Sequence, residues 1–329
     1  MIDAVILWVD PSDEKWLEDY CKYTGKDKAS ILDSNRFKDW NTLLYLFRSI
    51  DFCLPWINKV HFITCGHLPH WLNKEHEKII FHSHKDIFEN HSDLPTFNSS
   101  AIEINIVNIP ELAEKFIYFN DDFLVLKKTN EDRFFIENKP VDFLRLDWPK
   151  DNPIIKYKHR RSEWQSMILN NLRLINEEFD IKDISIPLKD LKGRELFKQK
   201  ILSMMPKITG FEHYHHVQPY LKSSLQKINT IFRQEYLDTS ASRFRKHENI
   251  SQALYRYYQL CSGDYYDKDF KDHKVFKLTT HDYIKSIDLK SCNIVCLNDN
   301  YSDSCFDESK RVLAQKLEEI FPKKSSFEL

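Results

Sequence analysis

The chain has 329 residues, of which 30% are charged and 42% hydrophobic, and a formal net charge of -2. That length can bury one large core or two smaller ones, and the near-neutral balance removes any bulk electrostatic pull toward nucleic acid. The five glycines, Gly25, Gly66, Gly193, Gly210 and Gly263, stand too far apart to build a phosphate-cradling glycine loop, which excludes both the P-loop and the dinucleotide fingerprint.

Met1-Ile2-Asp3-Ala4-Val5-Ile6-Leu7 opens straight into a strand pattern without a basic leader, and no apolar run approaches the length of a membrane span. The expected location is therefore cytoplasmic. Seven cysteines form no C-x-x-C pair, so reduced and mostly packed thiols are expected rather than a zinc ribbon or a disulfide framework.

Ala4 to Val9 reads as a strand stopped by Pro11, with Ser12 or Asp13 capping a helix that begins near Glu14. Asp10 falls in that strand-to-helix turn with no structural role visible, at a place where a nucleotide could meet a sheet edge. A polar linker runs from Lys22 to Ser34. Leu43, Leu44, Leu46, Phe47 and Ile50 then mark a helix that carries Arg48, and Lys59 to Thr64 and Lys78 to His82 read as strands. This alternation predicts an α/β fold with a mostly parallel sheet and helices on both faces. His82 and His84 have no acid or cysteine at ligand spacing, so no metal site is expected there.

Asn98 or Ser99 is expected to cap a helix running to about Asn108, whose free N–H groups form an anion site with Glu103 on the next turn. A plain capping box ending on Glu103 explains the same residues. From Lys115 the sequence Lys-Phe-Ile-Tyr-Phe suits a strand buried on both faces, and Asn120-Asp121-Asp122 follows at once. Ligands gather beyond such strand ends, where paired carboxylates can hold a divalent cation against phosphates; a simple polar turn is the alternative.

Less can be read between Arg133 and Lys207: a strand over Val141 to Leu146, a helix over Arg160 to Leu174, and a Lys-rich solvated insertion from Lys182 to Lys200. Three histidines, His213, His215 and His216, precede a helix expected over Leu221 to Tyr236; they suit a metal site, a general base or plain surface. Arg243 and Arg245 would suit a phosphate clamp. Asn293 to Leu297 reads as a strand ending on a second strand-end acid, Asp299, before an amphipathic helix from Phe306 to Ile320.

Together these blocks resemble four regions of the Stealth family of sugar-phosphate transferases. The first is Ile2 to Asp10. The second covers Arg36 to about Asp142, with Arg36-Phe37-Lys38-Asp39, Arg48-Ser49-Ile50, Leu94-Pro95-Thr96-Phe97-Asn98-Ser99, Ala101-Ile102-Glu103 and Phe116 to Asp122. The third is similar to His215 through Tyr258 and the fourth to Cys296 through Asn300. Val217 stands where the family's third region has the first proline of His-x-Pro-x-Pro.

The resemblance implies a nucleotide-sugar-transferase fold of the GT-A type in a single catalytic domain. It would comprise a nucleotide-sugar-binding part at 1–150, a variable helical insertion at 151–209 and a His/Arg region with a closing strand and helix at 210–329. It implies transfer of a hexose 1-phosphate from a nucleotide sugar, most often a uridine one, to a glycan hydroxyl with release of a nucleoside monophosphate, in capsular or cell-surface polysaccharide synthesis. A lipid-linked acceptor at the inner membrane face fits that setting. By the same resemblance Mg²⁺ or Mn²⁺ would sit at Asp121, Asp122 and Asp299, with Asp10 a neighbour and Asp122 also catalytic. His215 would be the general base and Arg245 would stabilise the transferred phosphoryl group, ahead of Arg243. Asn98, Ser99, Glu103 and Asn120 would hold the sugar or its phosphate, with Arg36 and Arg48 behind them. Two alternatives remain. A glycosyltransferase would release a diphosphate and has no need of His215 and Arg245; a non-catalytic polysaccharide binder would use the aromatic side chains and leaves the strand-end acids unexplained.

Overall fold

The computed structural model describes residues 1–32, 38–149 and 162–329. Apart from Asp3, the first strand, β1 (Ile2–Leu7), is apolar toward both sides. Ala4 and Ile6 pack into one core with Leu46, Phe47 and Leu313, while Val5 packs into another with Ile104, Leu225 and Leu254. That period-two alternation places helices on both faces of the sheet, as a buried strand requires. The helix Glu14–Thr24 starts where Asp13 accepts the Trp16 N–H and ends at Gly25, whose φ of 69° lets the chain turn off the helix. The expected linker is thus partly helical, with a second short helix at Lys28–Leu32.

The helix Thr42–Cys53 leads to β2 (Val60–Thr64) and β3 (Ile79–Ser83), and the capped helix Ser99–Asn105 precedes β4 (Lys115–Asn120). Next come β5 (Phe123–Val125), β6 (Phe135–Ile136), β7 (Lys139–Asp142), β8 (Gln218–Leu221), β9 (Tyr266–Asp267), β10 (His273–Leu278) and β11 (Ile294–Asp299). The main sheet has the order β3-β2-β1-β4-β8, with only β8 antiparallel. Strands β2 and β4 flank β1 on opposite sides, so the order reverses between β1 and β4. That is the topological switch point at which open α/β sheets form a ligand crevice. Two three-stranded sheets, β10-β11-β5 and β6-β7-β9, are mixed. The architecture is α/β with mixed sheets and flanking helices, less uniformly parallel than the sequence pattern suggests.

Other differences are local. The strand expected over Val141 to Leu146 is β7, which starts and ends earlier; Leu146 only bridges Phe211. The supposed solvated insertion contains the helix Gly193–Ser203, which buries Gln199 and Leu202. The helix Glu163–Glu178 begins beyond Arg160, which lies outside the described residues. The segment from Leu221 to Tyr236 opens on the end of β8 and divides into the helices Lys222–Ile231 and Arg233–Ser240.

Buried charges fasten distant parts. Arg256, on the helix Ala253–Ser262, grips Asp142 of β7 with two 2.8 Å hydrogen bonds. Arg48 bonds Glu328, Glu318 and the Phe321 carbonyl. In the sheet itself Asp3, His61 and His82 form a chain, with contacts of 3.2 and 2.9 Å. All seven cysteines are free and four are buried. Among the described residues no helix is long and apolar enough to cross a membrane.

Candidate active site

A cleft of about 340 Å³ opens beyond the carboxyl ends of β1 and β4. Glu103, Tyr118, Asn120, Asp121 and Arg245 form a polar part of its wall, and Trp8, Trp16, Ile63 and Phe97 an apolar part. Helix capping brings its far side together. Asn98 accepts the Ser100 N–H, and its own amide donates to the Ser242 carbonyl and to Asn249, each at 3.0 Å. Those bonds tie segment 242–249 to the start of the helix Ser99–Asn105. Arg245 consequently reaches Ser99, to whose Oγ it donates, while its Nε is buried with no hydrogen-bond partner among the described residues. Glu103 does not reach back as a capping box; it lies near the Tyr118 hydroxyl and the Gln252 N–H, each at 3.5 Å.

The acids of this region resist ionisation. Burial pushes Glu103 up to about 6, with Arg245 pulling the other way. Asp121 rises to about 7, first through burial and then through the charges of Asp122 and Asp39. Burial raises Asp122 as well, against the pull of His215 and a hydrogen bond from Cys296. Adjacent buried carboxylates repel unless a proton or a cation lies between them. Asp122 Oδ1 is buried and lacks a hydrogen-bond partner among the described residues, so the pair has both the charge and a free oxygen to offer a cation.

Around Asp122 the second sheet completes the arrangement. Antiparallel pairing of β5 with β11 sets Cys296 opposite Phe123, and the Leu297 N–H donates to the Asp122 carbonyl at 2.9 Å. Asp122, His215 and Cys296 offer ligand atoms that all lie within 4.8 Å of one another, a cluster that could hold a metal ion. His215 is exposed, with its ring edge-on to Phe123 at 5.1 Å. The Cys296 thiol is pushed far up by burial and the Asp122 charge; it therefore stays protonated and donates to Asp122 Oδ2 at 3.3 Å.

The remaining sequence candidates are spread out. Asn120 ends β4 and accepts the Tyr118 hydroxyl at 2.6 Å. Asp10 does have a structural role, accepting the Ser12 N–H at 2.9 Å and the Ser12 hydroxyl at 2.6 Å. Asp299 closes β11 and accepts the Tyr301 N–H, with no hydrogen bond to Asp121 or Asp122 among the described residues. Asn98 is fully buried and its hydrogen bonds are taken up by the protein. Arg243 donates to the Pro95 carbonyl and lies over the Tyr23 ring, and Arg48 is held in its clamp with Glu328, outside the cleft lining. Arg36 lies outside the described residues. Sequence reasoning missed Cys296 beside Asp122 and Tyr118, Trp8 and His84 as wall residues. Trp8, flanking a strand end, carries a local signal, and His84 is considered from the sequence only as a metal ligand, which is not expected there.

Comparison with known proteins gives a consistent result. Residues 36–142 match Stealth protein CR2, conserved region 2; residues 285–329 match conserved region 4 and residues 2–28 conserved region 1. The chain is 32% identical over 337 residues to a capsular polysaccharide phosphotransferase WcwK of Streptococcus pneumoniae, covering 99% of this chain and 98% of that one. It is also 32% identical to the exopolysaccharide phosphotransferase cps2G of Lactiplantibacillus plantarum, over 99% and 96% of the two chains. Identity to the receptor polysaccharide phosphotransferase WefC of Streptococcus oralis is 29%, over 100% and 99%.

Proposed function

The chain belongs to the Stealth family and is a sugar-1-phosphate transferase of polysaccharide synthesis, and from that premise we propose that the cleft between β1 and β4 holds the nucleotide-sugar donor while His215 activates a glycan hydroxyl. The observation that carries this reading is that Asp121 lines the cleft together with Arg245, whose Nε lacks a partner among the described residues, while the adjoining Asp122 lies within reach of the His215 imidazole.

In the proposed reaction the acceptor oxygen attacks the phosphorus that carries the sugar. His215 takes the hydroxyl proton, and the Asp122 carboxylate beside it favours the resulting imidazolium. The bond from that phosphorus to the bridging oxygen breaks, leaving a sugar–phosphate–glycan diester and a nucleoside monophosphate. Arg245 stabilises charge on the phosphoryl oxygens, and Ser99, through its bond to Arg245, holds the guanidinium in position.

Asp121 and Asp122 would hold Mg²⁺ or Mn²⁺, with Asp299 supplying a further oxygen. When bound, such an ion neutralises diphosphate charge. An all-carboxylate site is favoured because the Cys296 thiol is engaged as a donor and His215 cannot bind a metal and take a proton with the same nitrogen. Asn120 and Glu103 would contact the sugar, with Asp10 at the mouth. The finer fold reading, a GT-A-type domain with a donor part at 1–150, an insertion at 151–209 and a catalytic part at 210–329, belongs to the same proposal. So does a lipid-linked acceptor met at the inner membrane face.

The test is the linkage formed. ³¹P NMR of the product made with Mg²⁺, a nucleotide sugar and a glycan acceptor should show a new phosphodiester that His215→Ala does not make. A product without phosphorus would contradict the reading.

A further inference from the structure

His84 stands apart from the chemistry proposed above, yet it lines the same cleft. Ser83 ends β3 and closes a capping box with Asp86, and His84 opens the short helix that follows. Its neighbour in the strand direction, His82, points into the sheet and bonds His61 at 2.9 Å. His84 itself is 8% exposed, and its ring nitrogens make no hydrogen bond to any described residue. Neither nitrogen is fully enclosed, so each can still be reached by a partner. Here the space beside it is the cleft.

The surroundings tell which part of a ligand would supply that partner. Burial, and then the nearby His67, hold the His84 imidazole down at about 4, so it is uncharged at neutral pH. An uncharged imidazole offers one N–H donor and one acceptor, but no charge for a diphosphate. The apolar lining of the same cleft is Ile63, Trp8, Trp16 and Phe97, from three packing groups: Ile63 from one, Trp8, which stacks on Phe62, from a second, and Phe97, which meets Trp16 edge-on at 5.7 Å, with Trp16 from a third. Such a wall takes a flat, uncharged, hydrogen-bonding ring. The charged groups Arg245 and Asp121 serve the phosphates.

We propose that His84 is the specificity-determining residue for the nucleobase of the donor, hydrogen-bonding the edge of the base while the aromatic wall receives its face. This deepens the donor-site reading and rests on it.

Isothermal titration of the full chain with UMP, CMP, GMP and AMP, and with inorganic pyrophosphate as a probe that lacks a base, tests it. The unaltered protein should bind one nucleotide at least about tenfold more tightly than the weakest. His84→Phe keeps the ring volume and removes both hydrogen-bonding groups. It should weaken the preferred nucleotide about tenfold, the scale of one lost hydrogen bond, and shrink the base preference to within about threefold, with pyrophosphate unaffected. His84→Gln presents donor and acceptor from one end of the side chain and should change which base binds most tightly. An unchanged ranking and span of preference in both variants would overturn the proposal alone. So would loss of pyrophosphate binding in step with the nucleotides. If the unaltered protein bound pyrophosphate and none of the nucleotides, the donor-site reading would fall and this one with it.

Discussion

Cys296 Sγ donates to Asp122 Oδ2 at 3.3 Å across the β5–β11 pair, joining the last strand of the chain to the acid at the centre of the site. The pairing matters because a buried carboxylate needs donors to stay ionised. Cys296 and His215 are the two side chains that offset burial at Asp122.

Removing the thiol should therefore move the pH dependence of catalysis. Without this donor the ionised form of Asp122 loses a hydrogen bond, so its raised pKa climbs further and the carboxylate is protonated at a higher pH. In Cys296→Val the acidic limb of kcat/KM should shift to higher pH, with activity largely recovered on the alkaline side. An unshifted limb with uniformly reduced activity would show that the thiol only packs.

Asp121 gives a second pH signature, read in stability. Its folded value of about 7 lies above the ordinary 3.8. Between those values the folded state keeps a proton that the unfolded chain has released, so this group's contribution to stability falls as pH rises from about 4 to about 7. Asp121→Asn removes that loss. The Tm of the variant should gain on the unaltered protein steadily across this window in metal-free buffer. Added Mg²⁺ should raise the Tm of the unaltered protein more above this window than within it, and raise the variant's less. Parallel Tm curves would refute the assignment.

Arg48 should prove structural. Its guanidinium bonds Glu328 at 2.9 and 3.0 Å, and the Glu328 side chain is only 4% exposed. Arg48→Ala leaves that carboxylate buried without its cation, which costs about 3–5 kcal/mol. A large fall in Tm with KM for the donor unchanged is expected from assays below the melting range; an altered KM with an unchanged Tm would return Arg48 to the donor site.

Arg245 should behave oppositely. Arg245→Ala is expected to lower kcat by about 10²–10³, as for loss of a preorganised donor to a developing charge, with little change in Tm. Arg245→Lys restores charge without the planar fork and should recover only part of the rate. A kcat near that of the unaltered protein in Arg245→Ala would remove the residue from catalysis.

How much of this was legible in the sequence depends on the range of the interactions involved. The run Phe116 to Phe119 and the acids after it were readable because a doubly buried strand must be continuously apolar and its end is where polar chemistry begins. The start of β8 was hidden, since Gln218-Pro219-Tyr220-Leu221 is four residues with a proline, tolerated because the strand lies at the sheet edge. Nothing local marks Cys296 as the partner of Asp122, or Glu328 as that of Arg48, because those pairs are 174 and 280 residues apart. Asp10 looked idle because its bond to Ser12 is a turn of a kind that Asp and Asn both make.

Whether the sugar moves with its phosphate is decided by the nucleotide left behind. Purified protein incubated with Mg²⁺, a panel of UDP- and GDP-hexoses and a glycan acceptor should release a nucleoside monophosphate, and the release should vanish in both His215→Ala and Asp122→Ala. Release of a nucleoside diphosphate would mean that the sugar moves without its phosphate, and would contradict the roles of His215 as base and Arg245 as phosphoryl clamp.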